Sequence, residues 1–106
     1  MQTWSIEFLD ETVEAEFESF PAEVRAKTVQ IMNLIKEFGL HNVGMPYTRP
    51  VQDKIWEIRA QQGRSLYITA SGRKILILRC FIKKSNKLPQ KELKIAQKRA
   101  REIQDG

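Results

Sequence analysis

The sequence predicts an α+β protein: one mainly antiparallel sheet, element order β-α-α-β-β-β-α, with a helix hairpin covering one face. Three observations carry this. From Lys54 to Lys87 three short runs alternate apolar with polar or basic residues, the period-two pattern of strands, and the gaps Gln61-Gln62-Gly63 and Ser71-Gly72-Arg73 are short enough for hairpins. Before this stretch, apolar residues recur at helical spacing. After it, Pro89 opens a second helical pattern.

Taken in order, Trp4, Ile6 and Phe8 alternate with Ser5 and Glu7, which predicts a strand near 3–8. Asp10 suits a helix cap, with Glu11 in the favourable first turn, and Val13, Phe17 and Phe20 give a short helix over about 11–19. Pro21 opens the next helix. Its one-face stripe is Val24, Thr28, Ile31, Met32, Ile35 and Phe38, and Gly39 stops it. Residues 39–53, with Gly44, Pro46 and Pro50, read as one long connection. It holds His41, the sole histidine, which reads as a surface residue. The last helix runs from Pro89 to about Gln104, dry along Leu93, Ala96, Ala100 and Ile103 and cationic at Lys91, Lys94, Lys98, Arg99 and Arg101.

At 106 residues the chain is expected to be a single domain, 1–106, large enough for one core without staples. The lone Cys80 has no internal disulfide partner and reads as a buried thiol. With no second histidine and no Cys or acid cluster at ligand spacing, neither a metal nor another cofactor is expected. The N-terminus lacks the pattern of a signal peptide, and no apolar run approaches the roughly 18–20 residues of a membrane span, so the expected location is the cytoplasm. Charge is uneven. Residues 1–23 hold seven acids and no Lys or Arg, whereas 24–106 hold 18 bases and six acids, for a net charge of +5. A basic face suits nucleic acid or an acidic partner; a well-solvated surface is the competing reading.

Strand parity suggests where that face lies. If the apolar sets of the three strands align, the opposite side carries Glu57, Arg59, Tyr67, Arg79, Phe81 and Lys83. Cations mixed with rings suit a ligand that bears both phosphates and bases.

Ile-Trp-Glu-Ile-Arg at 55–59, Arg64 followed by Leu66-Tyr67, and Leu-Arg-Cys-Phe-Ile-Lys-Lys at 78–84 resemble the phage-derived branch of the RelE/HigB-like toxins. So does the tail, with Ser-Asn-Lys-Leu-Pro at 85–89, Glu92, Ala96 and Arg99. The resemblance spans nearly the whole chain. It implies a compact RelE-like fold and a toxin of a type II toxin–antitoxin module. Such a toxin cleaves mRNA on the translating ribosome without metal, and a helix-turn-helix antitoxin holds it inactive. Arg59, Arg64, Phe81, Lys83 and Lys84 match the family's motif positions; Arg79 joins from parity alone.

The chemistry implied is attack of a ribose 2′-hydroxyl on the adjacent phosphate. It needs a base, positive charge on the phosphate oxygens, and an acid at the leaving oxygen. Arg59 and Arg64 suit bidentate phosphate binding, and Lys83 and Lys84 suit backbone contact or proton donation. With these four as the catalytic set, Tyr67, Arg79 and Phe81 are the expected RNA-binding residues, the two rings for stacking. Competing structural roles are an Arg59–Glu57 bridge, Arg64 as a hairpin end, rings covered by the last helix, and strand-end lysines that only solubilise. A non-catalytic RNA-, ribosome- or host-factor-binding protein is the alternative function.

Overall fold

The structure, a computed structural model, describes residues 3–105. Strand β1 (Ser5–Phe8) leads into α1 (Glu11–Glu18) and α2 (Ala22–Phe38), followed by a 3-10 turn at Leu40–Asn42. Strands β2 (Thr48–Gln52), β3 (Ile55–Ala60), β4 (Gly63–Ala70) and β5 (Lys74–Ile82) come next, then α3 (Gln90–Asp105). The helix caps follow local chemistry. Asp10 accepts the Val13 N–H at 3.0 Å, and Gly39, at φ 89°, donates its N–H to the Ile35 carbonyl.

The five strands lie in the order β1-β5-β4-β3-β2, with β1 parallel to β5 and the rest antiparallel. The α+β class and the helix hairpin stand as expected. One strand was not foreseen. Thr48–Gln52, read from the sequence as connection, pairs with β3 at the sheet edge. Pro50 lacks a backbone N–H, and an edge strand, with one side unpaired, tolerates that. The register shifts between Pro50 and Gln52, which marks a bulge.

Both faces of the sheet are covered. The helix hairpin packs Val13, Phe17, Phe20, Val24, Ile31 and Ile35 against Ile58, Tyr67, Ile75 and Ile77. On the reverse, Leu93 and Ala96 of α3 pack against Ile55, Leu66, Leu78 and Phe81. This corrects the parity expectation. The register pairs Ile58 with Ser65 and Glu57 with Leu66, so the apolar sets of β3 and β4 do not lie on one face. A second bulge then intervenes: Tyr67 pairs with Ile77 and Leu66 with Arg79, leaving Leu78 unpaired. The extra residue reverses the alternation along β5. Ile75 and Ile77 therefore face the hairpin, whereas Arg79 and Phe81 face α3.

The bulge also turns polar groups of β5 outward past the end of β1. The Leu78 carbonyl accepts from Arg99 at 2.7 Å, and the Cys80 N–H donates to Glu16 at 3.2 Å. Side chains from α1 and α3 thus take the place of a neighbouring strand.

Candidate nucleic-acid interface

Glu57 is the buried hub of the basic face. Its side chain has no solvent exposure. Arg49 lies directly opposite on β2, Arg59 lies two residues along β3 on the same face, and Arg64 sits diagonally on β4. Arg49 Nε donates to Glu57 Oε2 at 2.6 Å. Arg59 Nε is 3.6 Å from the same oxygen, and Arg64 Nε is 3.7 Å from Oε1. At those distances they are ion pairs rather than hydrogen bonds. Three guanidiniums therefore share one carboxylate, and positive charge is left in excess.

The excess opens onto a concavity of about 340 Å³ lined by Arg59, Gln61, Gln62, Arg64, Lys83, Lys84, Ser85 and Asn86. Local backbone bonds build it. The two-residue turn at Gln61-Gln62 joins β3 to β4, with Gln61 at φ 57°. Its carbonyls orient the cations: Arg64 Nη1 donates to the Gln61 carbonyl at 2.7 Å and to the Gly63 carbonyl at 2.9 Å. The Lys83 N–H donates to the Gln62 carbonyl at 2.8 Å, which holds the end of β5 against the same turn.

The electrostatics follow from this crowding. Burial lowers the Arg64 pKa, Glu57 raises it, and Arg59 and Arg49 lower it again. Lys83 is likewise lowered, first by desolvation and next by Arg64, with Glu57 opposing. A phosphate would relieve this repulsion. At about 4 Å from one cation it gains roughly 4 kcal/mol of Coulomb energy at the effective dielectric of a protein surface, before desolvation is subtracted.

The structure thus brings Arg59, Arg64, Lys83 and Lys84 to one concavity, drawn from β3, β4 and the end of β5. It does not bring the other three expected residues there. Tyr67 faces the helix hairpin with no solvent exposure, and burial pushes its phenol pKa up. Its ring offers no stacking surface, so the expected RNA contact is corrected. Phe81 does lie on the reverse face, but α3 covers it and only 7% of it is exposed. It packs rather than stacks. Arg79 is held between Glu16, at 2.5 Å, and Glu92, at 2.7 Å. Burial lowers its pKa, but the hydrogen bonds it donates to Glu92 and Glu16, with the charge of both carboxylates, outweigh this and raise it. Arg79 ties α1, β5 and α3 together and is not free for RNA.

Arg49 was missed because its strand read as a loop; a basic residue in the strand that follows a proline-rich turn was the available signal. Gln61 and Gln62 read in the sequence only as a hairpin gap, and Ser85 and Asn86 only as part of the tail motif. His41 is exposed beside Trp4, near the Ala70 end of β4 and so at the opposite end of the sheet from Gly63. A larger concavity of about 690 Å³, lined by Trp56, Ile68, Gln97 and Arg101 among others, lacks a comparable convergence of cations. Among the described residues, no three of His, Cys, Asp and Glu gather as a metal ion would need. Among them also, no helix is long and apolar enough to cross a membrane.

The model of the family described as phage-derived protein Gp49-like matches residues 15–101. No curated protein sequence matches the chain. Three solved structures share the fold. A chain of the toxin–antitoxin complex RelBE2 from Mycobacterium tuberculosis is 16% identical, with a TM-score of 0.58 over 76% of this chain and 99% of that one. A chain of the archaeal RelE–RelB complex from Pyrococcus horikoshii is 11% identical, with a TM-score of 0.61 over 76% and 96%. A substituted form of Escherichia coli toxin RelE in the free state is 17% identical, with a TM-score of 0.60 over 92% and 98%.

Proposed function

Because this chain belongs to the phage-derived Gp49-like family and shares its fold with RelE toxins, we propose that it is the toxin of a type II toxin–antitoxin module. Its activity is ribosome-dependent, metal-free cleavage of mRNA, which stops translation in the cytoplasm. A helix-turn-helix antitoxin is its controlling partner. The observation that carries this reading is the convergence of Arg59, Arg64, Lys83 and Lys84 on one open concavity above a buried carboxylate.

The roles follow from placement. Arg59 and Arg64 bind the non-bridging oxygens of the scissile phosphate and stabilise the charge that grows there as the 2′-oxygen attacks. Lys83 has a pKa lowered by burial and by neighbouring guanidiniums. That brings an ammonium nearer to what a general acid at the 5′-leaving oxygen requires, while the proton of the attacking 2′-hydroxyl passes to water or to a group of the ribosome. Lys84, more exposed, holds the flanking backbone. Base stacking is left to the ribosome, since Tyr67 and Phe81 are both packed inside.

A second reading, an RNA- or ribosome-binding protein without cleavage, draws on the lining itself. Beside the cations it holds only amides and a serine hydroxyl, with no exposed carboxylate or imidazole to serve as base. Primer-extension mapping of mRNA ends after induction separates the two. The cleavage reading expects new 5′ ends within coding frames, lost in Arg59→Ala and Lys83→Ala with folding intact. Growth arrest without new ends selects the binding reading, and normal growth with intact mRNA under strong induction rejects both.

A further inference from the structure

We propose that Glu57 is the positioning residue of this site: its buried carboxylate orders the guanidiniums of Arg49, Arg59 and Arg64 before RNA arrives and takes no proton from it. The inference rests on the phosphate-binding reading above. Three observations carry it. Glu57 is wholly buried, so the 2′-hydroxyl of a substrate in the concavity has no path to it, and it is absent from the concavity's lining. Each cation reaches it from a different strand, Arg49 from β2, Arg59 from β3 and Arg64 from β4. And Glu57 Oε1, Arg59 Nε and Arg64 Nε are all buried without a hydrogen-bond partner among the described residues.

That last point has a physical meaning. Without an anion between them, Arg49 and Arg59 would turn apart toward water, and Arg64 would keep only its Nη1 bonds to the Gln61 and Gly63 carbonyls. Glu57 removes that freedom, but only Arg49 closes a hydrogen bond on it. Arg59 and Arg64 are held through buried Nε groups by attraction alone, so their guanidinium planes are fixed before a phosphate enters the concavity. Arg49, with 38% of its side chain exposed, locks the carboxylate from the edge strand β2.

The test uses two readouts on the purified protein. Arginine Nε–H NMR signals are followed while a short oligodeoxyribonucleotide, which lacks the attacking hydroxyl, is titrated in. Cleavage of mRNA is measured on translating ribosomes. In the wild type the Arg59 and Arg64 signals should be sharp and should shift together. In Glu57→Gln they should broaden, with cleavage kcat down at least tenfold, oligonucleotide affinity changed less than threefold, and the pH–rate profile unchanged in shape. Glu57→Asp should fall between. Should Glu57→Gln not fold, Arg49→Gln decides, since it removes the one hydrogen bond to Glu57 and should broaden the same two signals. Unchanged signals and rate in either variant overturn the proposal. So does a pH–rate limb that vanishes in Glu57→Gln and returns displaced in Glu57→Asp, because Glu57 would then be the base. If the wild type cleaves nothing, the cleavage reading fails by itself, while the arginine spectra still decide whether Glu57 orders the site.

Discussion

Glu16→Ala should be among the most destabilising substitutions outside the apolar core. The Glu16 carboxylate accepts from Arg79 Nη1 at 2.5 Å, from Arg99 Nη1 and Nη2 at 3.1 and 3.0 Å, and from the Cys80 N–H at 3.2 Å. Breaking a buried ion pair by removing one partner costs roughly 3–5 kcal/mol. Here the groups keep 15–20% of their exposure, Arg79 retains Glu92, and Arg99 retains the Leu78 carbonyl. Those discounts bring the expected loss to about 3 kcal/mol, or roughly 12–18 °C in Tm for a domain of this size. Glu16→Gln keeps an acceptor for the Cys80 N–H and should lose about half as much. Urea unfolding followed by circular dichroism, with equal slopes required across the variants, reads the difference. A loss below about 1 kcal/mol in Glu16→Ala, or a Glu16→Gln indistinguishable from wild type, would sink the account of Arg79 as a structural rather than RNA-binding residue.

Three further outcomes follow from other parts of the molecule. A β-carbon at Gly63 would collide with Val24 Cγ1 and crowd the Ala60 carbonyl, so Gly63→Ala should cost roughly 1–3 kcal/mol in the same urea assay, and a neutral result would mean that α2 yields easily. If Lys83 is the acid of the proposed cleavage it acts protonated, and because its pKa lies below the ordinary 10.5, ribosomal cleavage should decline as pH rises through that lowered value. Lys83→Arg should move the decline to higher pH, and a limb that stays in place would assign it to another group. Burial pushes the Cys80 thiol up to about 12, above its ordinary 9.0. The unfolded thiol ionises first, so stability should fall as pH climbs across that interval, and a thiol reagent at pH 8 should modify the native protein at least 100-fold more slowly than the urea-unfolded chain. Modification at equal rates would mean that Cys80 is open to solvent.

The helices were legible because each buries a single stripe whose period is set by the helix itself, although Phe38 and Ile103, expected at the ends of two stripes, are exposed. The three-strand meander was legible for the same reason. What misled was the assumption of one wet face. With α3 on the reverse, both sides of the sheet are apolar along much of their length, so Ile58 and Leu66 look equivalent in sequence although they point in opposite directions. The bulge at Leu78 compounded this, since no local residue pattern announces an extra residue. Tyr67 was misplaced by the first effect and Phe81 by the cover of α3. Arg59 and Lys83 of the concavity were indicated by parity as well as by motif position, whereas Arg64 and Lys84 were indicated by motif position alone. Parity put Arg64 on the wrong side.

The parallel pairing of β1 with β5 sets a constraint on how the protein can be made. Ser5 finds Lys74 and Phe8 finds Ile77, so the earliest strand to leave a ribosome has no neighbour until most of the remaining chain has been synthesised. Glu16 waits for Arg79 and, longer, for Arg99. Pairings this distant along the chain are slow to form. Lys83 and Lys84 emerge directly behind the strand that completes the sheet. The cationic concavity, which needs Arg59, Arg64, Lys83 and Lys84 together, is therefore complete only once β5 and the two lysines behind it have emerged.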